Sequence, residues 1–288
     1  MRALRNISLK LLMLAAAVAT TAEVWAFRPG AGAPPSLIEK FEERFVVDSQ
    51  CERYELIETF YDGRVEKNTM LMAYQYGEDY VLGLIRILPK GEHPGNLALS
   101  IQRNGETPKL YAYDFSESKA RLLEGPPARA TIGNVPWHFE DMIDDDKEPW
   151  DWKRQRGTVN VEGFECSVLV GNWGDPEMRY NSSAGQRRLY VALEDPIPKK
   201  MEFYDRRGNF FKTIWSRDFR DNSPDGQARL RAHRIEVRHN VRNSHTVMVL
   251  AEHNYDVPLP AGLFDPDFLP QWSLQTDAEL LAVMRQDD

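Results

Sequence analysis

Residues 97–142, LALSIQRNGETPKLYAYDFSESKARLLEGPPARATIGNVPWHFEDM, decide the fold of this chain. They open with two runs in which apolar side chains alternate along the chain, residues 97–101 and 110–115, as expected of β-strands. Between the runs stands Asn104-Gly105, a dipeptide that tolerates the positive φ of a tight reversal. Two such runs joined by such a turn predict an antiparallel hairpin.

The same stretch then leaves the predicted sheet and returns to it. Gly125-Pro126-Pro127 ends a short basic strand at residues 121–123, and the chain comes back as GNVPWHFEDM, residues 133–142. The order is a hairpin with Tyr-x-Tyr-Asp at residues 111–114, the basic strand, and then Gly-x-x-x-aromatic-x-aromatic-Glu-Asp-Met. This order resembles the bacterial outer-membrane lipoprotein-sorting (LolA-like) family.

A second motif carries the same resemblance. Residues 188–212, RLYVALEDPIPKKMEFYDRRGNFFK, contain a strand, a second strand that ends in Tyr-Asp-x-x-Gly, and a lysine in the next strand. The Asp205-x-x-Gly208 part is also ordinary hairpin-turn chemistry. A Pro-x-x-Leu-Phe sequence at residues 260–264 is again similar to the family and predicts an apolar plug at one end of the sheet.

The resemblance implies both a fold and a function. Members of the family are periplasmic, and their curved antiparallel sheet, an incomplete barrel, holds acyl chains on its concave apolar face. The chain is therefore expected to be a soluble periplasmic carrier that binds acyl chains of lipoproteins, or another lipid. It would pass them from an inner-membrane transporter to an outer-membrane acceptor, as in outer-membrane biogenesis. Sterol-like, hopanoid or glycolipid cargo would suit the same groove.

The alternating runs of the whole chain predict a mainly β fold, with a curved antiparallel sheet of about eleven strands and covering loops. Residues 80–88 are apolar on both parities apart from Gly83 and Arg86, which predicts a strand covered on both sides. A capping box at residues 36–39 predicts an N-terminal helix, and residues 277–284 predict a short C-terminal helix.

The predicted organisation has four parts. Residues 1–26 are a signal peptide, 27–50 a linker with the entry helix, 51–272 the LolA-like β domain, and 273–288 the C-terminal helix and tail.

Composition argues against nucleic-acid binding. The chain has 36 Lys and Arg against 44 Asp and Glu, a net charge of −8, and removal of residues 1–26 leaves 33 against 43, or −10. Binding to a phosphate backbone requires a basic face, so no nucleic-acid partner is expected. A monomer is expected.

The N-terminus has the three parts of a secretory signal peptide. Arg2, Arg5 and Lys10 precede a short apolar core at residues 11–19, and Val24-Trp25-Ala26 offers a small-x-small cleavage site. The apolar core is far shorter than the roughly 20 residues of a membrane span. Cleavage after Ala22 is an alternative.

Two cysteines, Cys51 and Cys166, leave two alternatives open. An exported chain permits a disulfide, and closing so long a loop would stabilise the fold by roughly 4 kcal/mol in the chain-entropy model. The other alternative is two separately buried thiols, because sequence spacing does not show proximity.

The candidate lipid-binding residues come from three places in the chain. The entry helix supplies one apolar face, the second strand supplies two deformable methionines, and the central turn supplies three large apolar side chains. The set is Leu37, Ile38, Phe41, Met70, Met72, Trp137, Phe139 and Met142. Packing in an ordinary core is the alternative role for each of them.

The sequence carries no enzyme motif. Gly-x-Ser-x-Gly, a phosphate-binding glycine loop and His-Glu-x-x-His are absent, so no catalytic residue, cofactor or metal is expected. The acidic residues 140–153 are interpreted as a solvated loop, because their spacing does not fit a calcium loop. His138 is interpreted as a turn histidine, since no nucleophile is paired with it.

A second hypothesis belongs to a different functional class. The sheet could be filled by its own side chains, and the chain would then be a non-carrying interaction protein of the envelope, accessory to an exporter of the resistance-nodulation-division type. Lipid that co-purifies with the protein would distinguish the carrier from this alternative.

The tripartite N-terminus gives the first testable prediction. The exported protein should begin at Phe27, because cleavage follows the small-x-small site. Edman sequencing and intact mass of the envelope fraction measure this start. A chain that retains Met1 there would contradict it.

Overall fold

Fourteen β-strands form a single antiparallel sheet in the computed structural model of the chain. The structure describes residues 37, 47–104, 106–124, 130–133, 135–142, 150–173, 182–194, 196–221 and 230–285. All of them belong to one compact unit, Ala31–Asp288.

The strands, numbered in chain order, are β1 Ser49–Thr59, β2 Val65–Gly77, β3 Tyr80–Ile87, β4 Asn96–Arg103, β5 Lys109–Asp114, β6 Lys119–Leu123, β7 Trp150–Arg154, β8 Val159–Val161, β9 Phe164–Trp173, β10 Gln186–Ala192, β11 Pro198–Tyr204, β12 Phe210–Asp221, β13 Leu230–His239 and β14 Ser244–Tyr255. A 3-10 helix, Phe139–Met142, precedes β7, and a second one, Leu269–Gln271, precedes the C-terminal helix, Leu274–Met284.

Most neighbouring strands in the sheet are also consecutive in the chain, and one pairing joins strands that are far apart in the sequence. From edge to edge the strand order is β6-β5-β4-β3-β2-β1-β14-β13-β12-β11-β10-β9-β7, and β8 pairs beside β7 on β9. The β1–β14 pairing joins the two ends of the β domain, from Gln50 opposite Tyr255 to Thr59 opposite His245. β6 and β7 remain at opposite edges, so the curved sheet does not close into a barrel.

Both faces of the sheet are covered. The residues of each face can be read from the register, because directly opposed residues of neighbouring strands present their side chains on the same side. The cover face carries Tyr54, Met70 and Ile87, which are opposed in register. It takes its name from residues 130–133 and 135–142, the cover segment, which packs on it. The helix face carries Cys51, Leu71 and Leu84 and packs against residues 259–284.

The C-terminal helix is held on the helix face by one buried ion pair. Arg86 donates to both carboxylate oxygens of Asp277, at 2.9 and 3.1 Å, and the side chains are only 2% and 7% exposed. Trp272 Nε1 donates to the same carboxylate at 2.8 Å. Ser273 caps the helix through a capping box with Thr276. Arg86, the charge inside the predicted doubly covered strand, is thus paired.

The predicted fold class is confirmed: a mainly β, curved antiparallel sheet with a C-terminal helix. β3 is covered on both faces as predicted. The sheet has fourteen strands, whereas about eleven were predicted. One of the additional strands is β7, Trp150–Arg154, which begins in the acidic stretch predicted to be a loop. Its tryptophans lie at the end of that acidic stretch, and the pairing with β9 gives them a packed face.

The predicted signal peptide and most of the predicted entry helix lie outside the described residues. Leu37 alone of that helix is described, in helical conformation and half-buried.

The cysteines correspond to the second alternative, two separately buried thiols. Cys51 lies in β1 and Cys166 in β9, six strand positions apart in the sheet. At about 4.8 Å per strand that is roughly 29 Å along the sheet, and a disulfide needs Cα atoms within about 7 Å. The structure therefore favours the second alternative over a Cys51–Cys166 bridge. Burial, followed by the charge of Glu52, raises the pKa of Cys51 to about 12.

This arrangement predicts how the thiols react. Under native conditions iodoacetamide should label neither cysteine, because both side chains are fully buried. After unfolding in guanidinium without any reductant, both should be labelled. Intact mass measures the number of adducts, and an unfolded, unreduced protein that takes up no label would show a disulfide.

Candidate functional site

The cover segment contains no strand of the sheet and is organised by its own short hydrogen bonds. Ile132 N–H donates to the carbonyl of Trp137 at 2.9 Å, and Phe139 N–H donates to that of Ala130 at 3.1 Å. Asp141 Oδ2 accepts from His138 N–H at 2.7 Å and so caps the 3-10 helix. Gly133 has φ +61°, and a Cβ there would lie 2.6 Å from Asn96 Oδ1, so only glycine fits this turn.

The apolar side chains of the cover segment pack on the cover face. Ile132, Val135, Phe139 and Met142 are buried in a cluster with residues of β1 to β5, β13 and β14. Trp137 packs against the same cluster and is half-buried. The structure thus brings together five of the predicted lipid-binding residues, which are Met70, Met72, Trp137, Phe139 and Met142.

A buried lysine on β12 holds the cover segment to the sheet. Lys212 Nζ lies 2.6 Å from both carboxylate oxygens of Asp141 and 2.9 Å from His138 Nδ1. The exposed fractions of the three side chains are 0%, 4% and 3%. An ion pair this deeply buried is stable only when both charges are present and hydrogen-bonded, so it couples the segment to the strand.

A second carboxylate of the cover segment reaches the other half of the sheet. Glu140 accepts hydrogen bonds from Ser183 N–H at 3.1 and 3.2 Å and from the Ser183 hydroxyl. Arg187 on β10 is also buried, and its positive charge acts to lower the pKa of Glu140. The Arg187 guanidinium carbon lies 4.6 Å from the centre of the Trp150 ring. Two acidic and two basic groups, Asp141, Glu140, Lys212 and Arg187, therefore meet inside the protein with a net charge of zero if all are ionised. We call these four residues the buried ion cluster.

The two carboxylates of this cluster respond differently to burial. Burial raises the pKa of Glu140, and the neighbouring Asp141 charge adds to the rise. For Asp141, burial acts in the same direction, but Lys212 and the His138 hydrogen bond outweigh it and hold its pKa well below the usual range. Of the two carboxylates, Asp141 is thus the one whose charged form the cluster stabilises. Burial, followed by the neighbouring His138 and Arg242, lowers the pKa of His239, which is opposite Lys212 in β13, to about 4.

Side chains supply the polar links between the cover segment and the rest of the protein. Besides the cluster, Gln102 donates to the carbonyl of Met142 at 3.1 Å, and Arg242 donates to Thr131 Oγ1 at 3.2 Å. Among the described residues, no backbone-to-backbone hydrogen bond joins the cover segment to a strand. The segment could separate from the sheet without disturbing a strand pairing.

Beside the cover segment, the same face carries half-buried apolar side chains that join separate parts of the core. Ile214 packs against the cluster beneath the cover segment and against the aromatic cluster of Trp150, Trp173 and Phe203. Trp152 and Met201 join that aromatic cluster to a third one. We call Trp152, Met201, Ile214 and Ile235 the apolar row.

The third cluster is where the predicted entry helix makes contact. Leu37 packs against Leu169, Leu189 and Val191, at the β9–β10 end of the face. It therefore contacts a different cluster from the other described candidates, and Ile38 and Phe41 lie outside the described residues. The lipid-binding role of all eight stays a prediction.

The sequence patterns do not predict the buried ion cluster, although three of its four residues lie in the two motifs and the fourth, Arg187, directly precedes the second motif. Glu140 and Asp141 belong to the first motif and Lys212 to the second, but they were assigned to a solvated loop and a strand. That interpretation is wrong for the two carboxylates, which are buried. His138, interpreted as a turn histidine, does lie in the turn and contacts Lys212 as well. The signal available was two acidic residues flanked by large apolar ones on both sides.

A cavity of about 700 Å³ lies elsewhere, under residues 256–265 where they cross β1 to β3. Its wall is mixed, with Asp48, Asp256 and Asp265 beside Leu259 and Phe264, so it suits an acyl chain less well than the apolar row. Within the described part of the chain, no group of His, Cys, Asp and Glu is arranged to hold a metal ion, and no helix is long and apolar enough to cross a membrane.

Solved structures share this architecture across most of the chain. A candidate outer membrane lipoprotein-sorting protein domain from Vibrio parahaemolyticus has a TM-score of 0.72 at 16% identity, over 82% of this chain and 97% of that one. A DUF1329 family protein from Desulfovibrio piger has a TM-score of 0.71 at 17% identity, over 81% and 96%. A LolA superfamily protein from Nitrosomonas europaea has a TM-score of 0.62 at 18% identity, over 83% and 100%.

These likenesses confirm the resemblance inferred from the two motifs and define the fold as that of the LolA-like lipoprotein-sorting proteins. A family model described as uncharacterized protein-like matches residues 82–271, which is most of the chain, and the chain belongs to that family. No curated protein matches it.

The buried ion cluster predicts a strong effect of Lys212→Met on stability. Removing the lysine leaves the Asp141 charge buried without a partner, which should lower the free energy of unfolding by about 3–5 kcal/mol. Adding Asp141→Asn should recover most of the loss, because the unpaired charge is then gone. Urea unfolding followed by circular dichroism measures both values.

The matched control is Lys153→Met, whose lysine pairs with Asp151 at 2.6 Å but is 41% exposed. Exposed pairs contribute about 0–1 kcal/mol, so this variant should unfold nearly as the parent does. Equal effects of the two lysine substitutions would show that the buried pair does not anchor the cover segment.

Proposed function

We propose that this protein is an exported, periplasmic carrier that binds an acyl chain of a lipoprotein or another lipid on the cover face and passes it to another envelope component. The observation that carries the proposal is an apolar sheet face whose cover segment, within the described residues, makes no backbone-to-backbone hydrogen bond to a strand. No covalent step is involved. The lipoprotein-sorting domain and the LolA superfamily protein with the same fold support this class of function.

The apolar row is the proposed contact surface for the chain. Met201 and Ile214 are directly opposed on β11 and β12, both half-buried, so added apolar surface can cover them. Each buried methylene contributes about 0.8 kcal/mol, and a chain of a dozen carbons therefore gains several kcal/mol even with partial burial. Methionine adapts to an irregular chain because it is unbranched and flexible.

Two indole groups on this face support a ligand with a polar end. Trp137 Nε1 and Trp152 Nε1 are buried and have no hydrogen-bond partner among the described residues. A buried donor without a partner costs roughly 1–3 kcal/mol, so an ester or carboxylate oxygen that reached either group would be favoured.

The interaction-protein hypothesis also has a specific observation in its favour. Met70, Met72, Phe139 and Met142 are 1–9% exposed and already fill the space beneath the cover segment. In the carrier, the cover segment must move away for cargo to reach these residues, whereas in the alternative it stays in place. The two hypotheses therefore differ in whether lipid binds at all.

The test is binding of a fluorescent single-chain fatty acid to the delipidated protein. Met201→Glu and Ile214→Glu should each weaken binding at least about tenfold, because a carboxylate placed on the row repels an acyl chain and attracts water. Their melting temperatures should fall by only a few degrees, since both side chains are half-buried in the parent. Val159→Glu, an exposed apolar position on β8, is the matched control and should bind as the parent does.

Ile214→Trp gives an independent check if a glutamate variant does not fold. It keeps the row apolar but fills the space beside it, so it too should reduce binding of the fatty acid. A parent protein that binds no fatty acid and co-purifies with no lipid, or row variants that bind as the parent does, would contradict the carrier.

A further inference from the structure

Three hairpins that are neighbours in the sheet end side by side. In sheet order β2-β1, β14-β13 and β12-β11 are consecutive. Thr59, at the tip of the first hairpin, is opposite His245, and His239 at the tip of the second is opposite Lys212, two residues into β12. The turns at residues 60–64, 205–209 and 240–243 therefore lie in a row at one end of the sheet.

Large apolar side chains stand exposed along this row. Tyr61 and Val241 are each 78% exposed, Val65 is 55% exposed and Phe210 is 40% exposed. They account for four of the nine exposed large apolar residues of the described chain, although the turns are a small part of it. A cluster of such residues at hairpin tips points to contact with an apolar phase.

The same tips are locally basic in an acidic protein. Residues 60–65, 205–210 and 240–243 contain Arg64, Arg206, Arg207 and Arg242 but only Asp62 and Asp205, a charge of 4 − 2 = +2, whereas the whole chain has −8.

Both aspartates are engaged in their own turns. Asp205 accepts from the N–H groups of Arg207 and Asn209, both at 2.8 Å, and Asp62 accepts from Arg64 N–H at 3.0 Å. Arg64 also forms ion pairs with Asp62 and Glu66 and stacks on Phe60.

We propose that this row of hairpin tips docks the protein on the surface of an anionic lipid bilayer. Tyr61 and Val241 enter the boundary between headgroups and acyl chains, and the arginines contact lipid phosphates. Aromatic and aliphatic residues beside arginines have the chemistry of interfacial membrane binding, in which apolar insertion and attraction to anionic lipid add together. Guanidinium groups suit phosphate particularly well because they donate in a planar fork.

Docking at this end brings the bilayer next to the cover segment. Arg242 in the tip of the β13–β14 hairpin donates to Thr131 Oγ1 of that segment at 3.2 Å. A phosphate that competes for Arg242 removes this link at the membrane surface. This consequence rests on the proposed carrier function, whereas docking itself does not.

The test uses the mature protein with a fluorophore on an added cysteine. Val241→Cys labelled with an environment-sensitive NBD group should show a blue-shifted, stronger emission with vesicles of phosphatidylethanolamine and phosphatidylglycerol at three parts to one. Both native cysteines are fully buried, so the label goes to the new site. Leu274→Cys is the matched control, since Leu274 is 72% exposed but begins the C-terminal helix.

Vesicle flotation adds a measurement without a label. Tyr61→Ser with Val241→Ser should reduce the vesicle-bound fraction about tenfold, because the inserted apolar area is lost. Leu274→Ser should leave it unchanged. Binding should weaken in high salt and on phosphatidylcholine vesicles, as the arginine contacts are electrostatic.

No emission change with anionic vesicles, or an equal change for the Val241→Cys and Leu274→Cys labels, would overturn the proposal. So would equal binding to neutral and anionic vesicles, which would exclude the arginine contacts. Measuring both activities separates the two proposals. In the parent protein, fatty-acid binding without vesicle binding would show that docking alone is wrong, and vesicle binding without fatty-acid binding would show that the carrier alone is wrong. The Tyr61→Ser, Val241→Ser variant should still bind the fatty acid as the parent does.

Discussion

The buried ion pair between Lys212 and Asp141 is the interaction on which the arrangement of the cover face depends. The two residues are 71 positions apart in the chain, and their side-chain atoms lie 2.6 Å apart. They belong to the two separate motifs that carry the family resemblance, so the motifs describe the two sides of one contact. Without the lysine, the turn that buries Phe139 and Met142 would place a carboxylate inside the protein with no opposite charge.

The sheet treats its two faces differently, and that difference suits a carrier. On the helix face, Arg86 and Asp277 fix a capped helix and several aromatic residues over β2 to β5. On the cover face, the described residues of a short segment make no backbone-to-backbone hydrogen bond to a strand, and half-buried apolar residues of β11 and β12 lie beside the segment. The helix face is thus covered by a capped helix that a buried ion pair holds. In the proposed carrier, the cover face would open when its polar contacts are exchanged for contacts with cargo or lipid headgroups.

The local sequence pattern was enough to predict the fold class. It was not enough to predict which distant residues pair with each other. Alternation and turn residues located most of the hairpins, and the apolar pattern of residues 80–88 predicted a doubly covered β3, because period and turn chemistry are local properties. The pairing of Asp141 with Lys212, and the separation of Cys51 from Cys166, depend on sheet order, which no local pattern encodes. Trp150–Arg154 was missed because its charged neighbours obscured the strand. Met70, Met72 and the central turn lie in one cluster, and their role in binding stays a prediction.

Hydrogen exchange of the cover segment tests most directly whether it opens as a separate unit. The amides of Ile132 and Phe139 should exchange through a local opening, at a rate that barely depends on added urea. Amides in the centre of β1 and β2 should need global unfolding and respond strongly to urea. Bound fatty acid should change exchange in the cover segment far more than in β1. If the cover amides exchange only together with those of β1 and β2, the cover segment is a fixed part of the core and does not open as a separate unit.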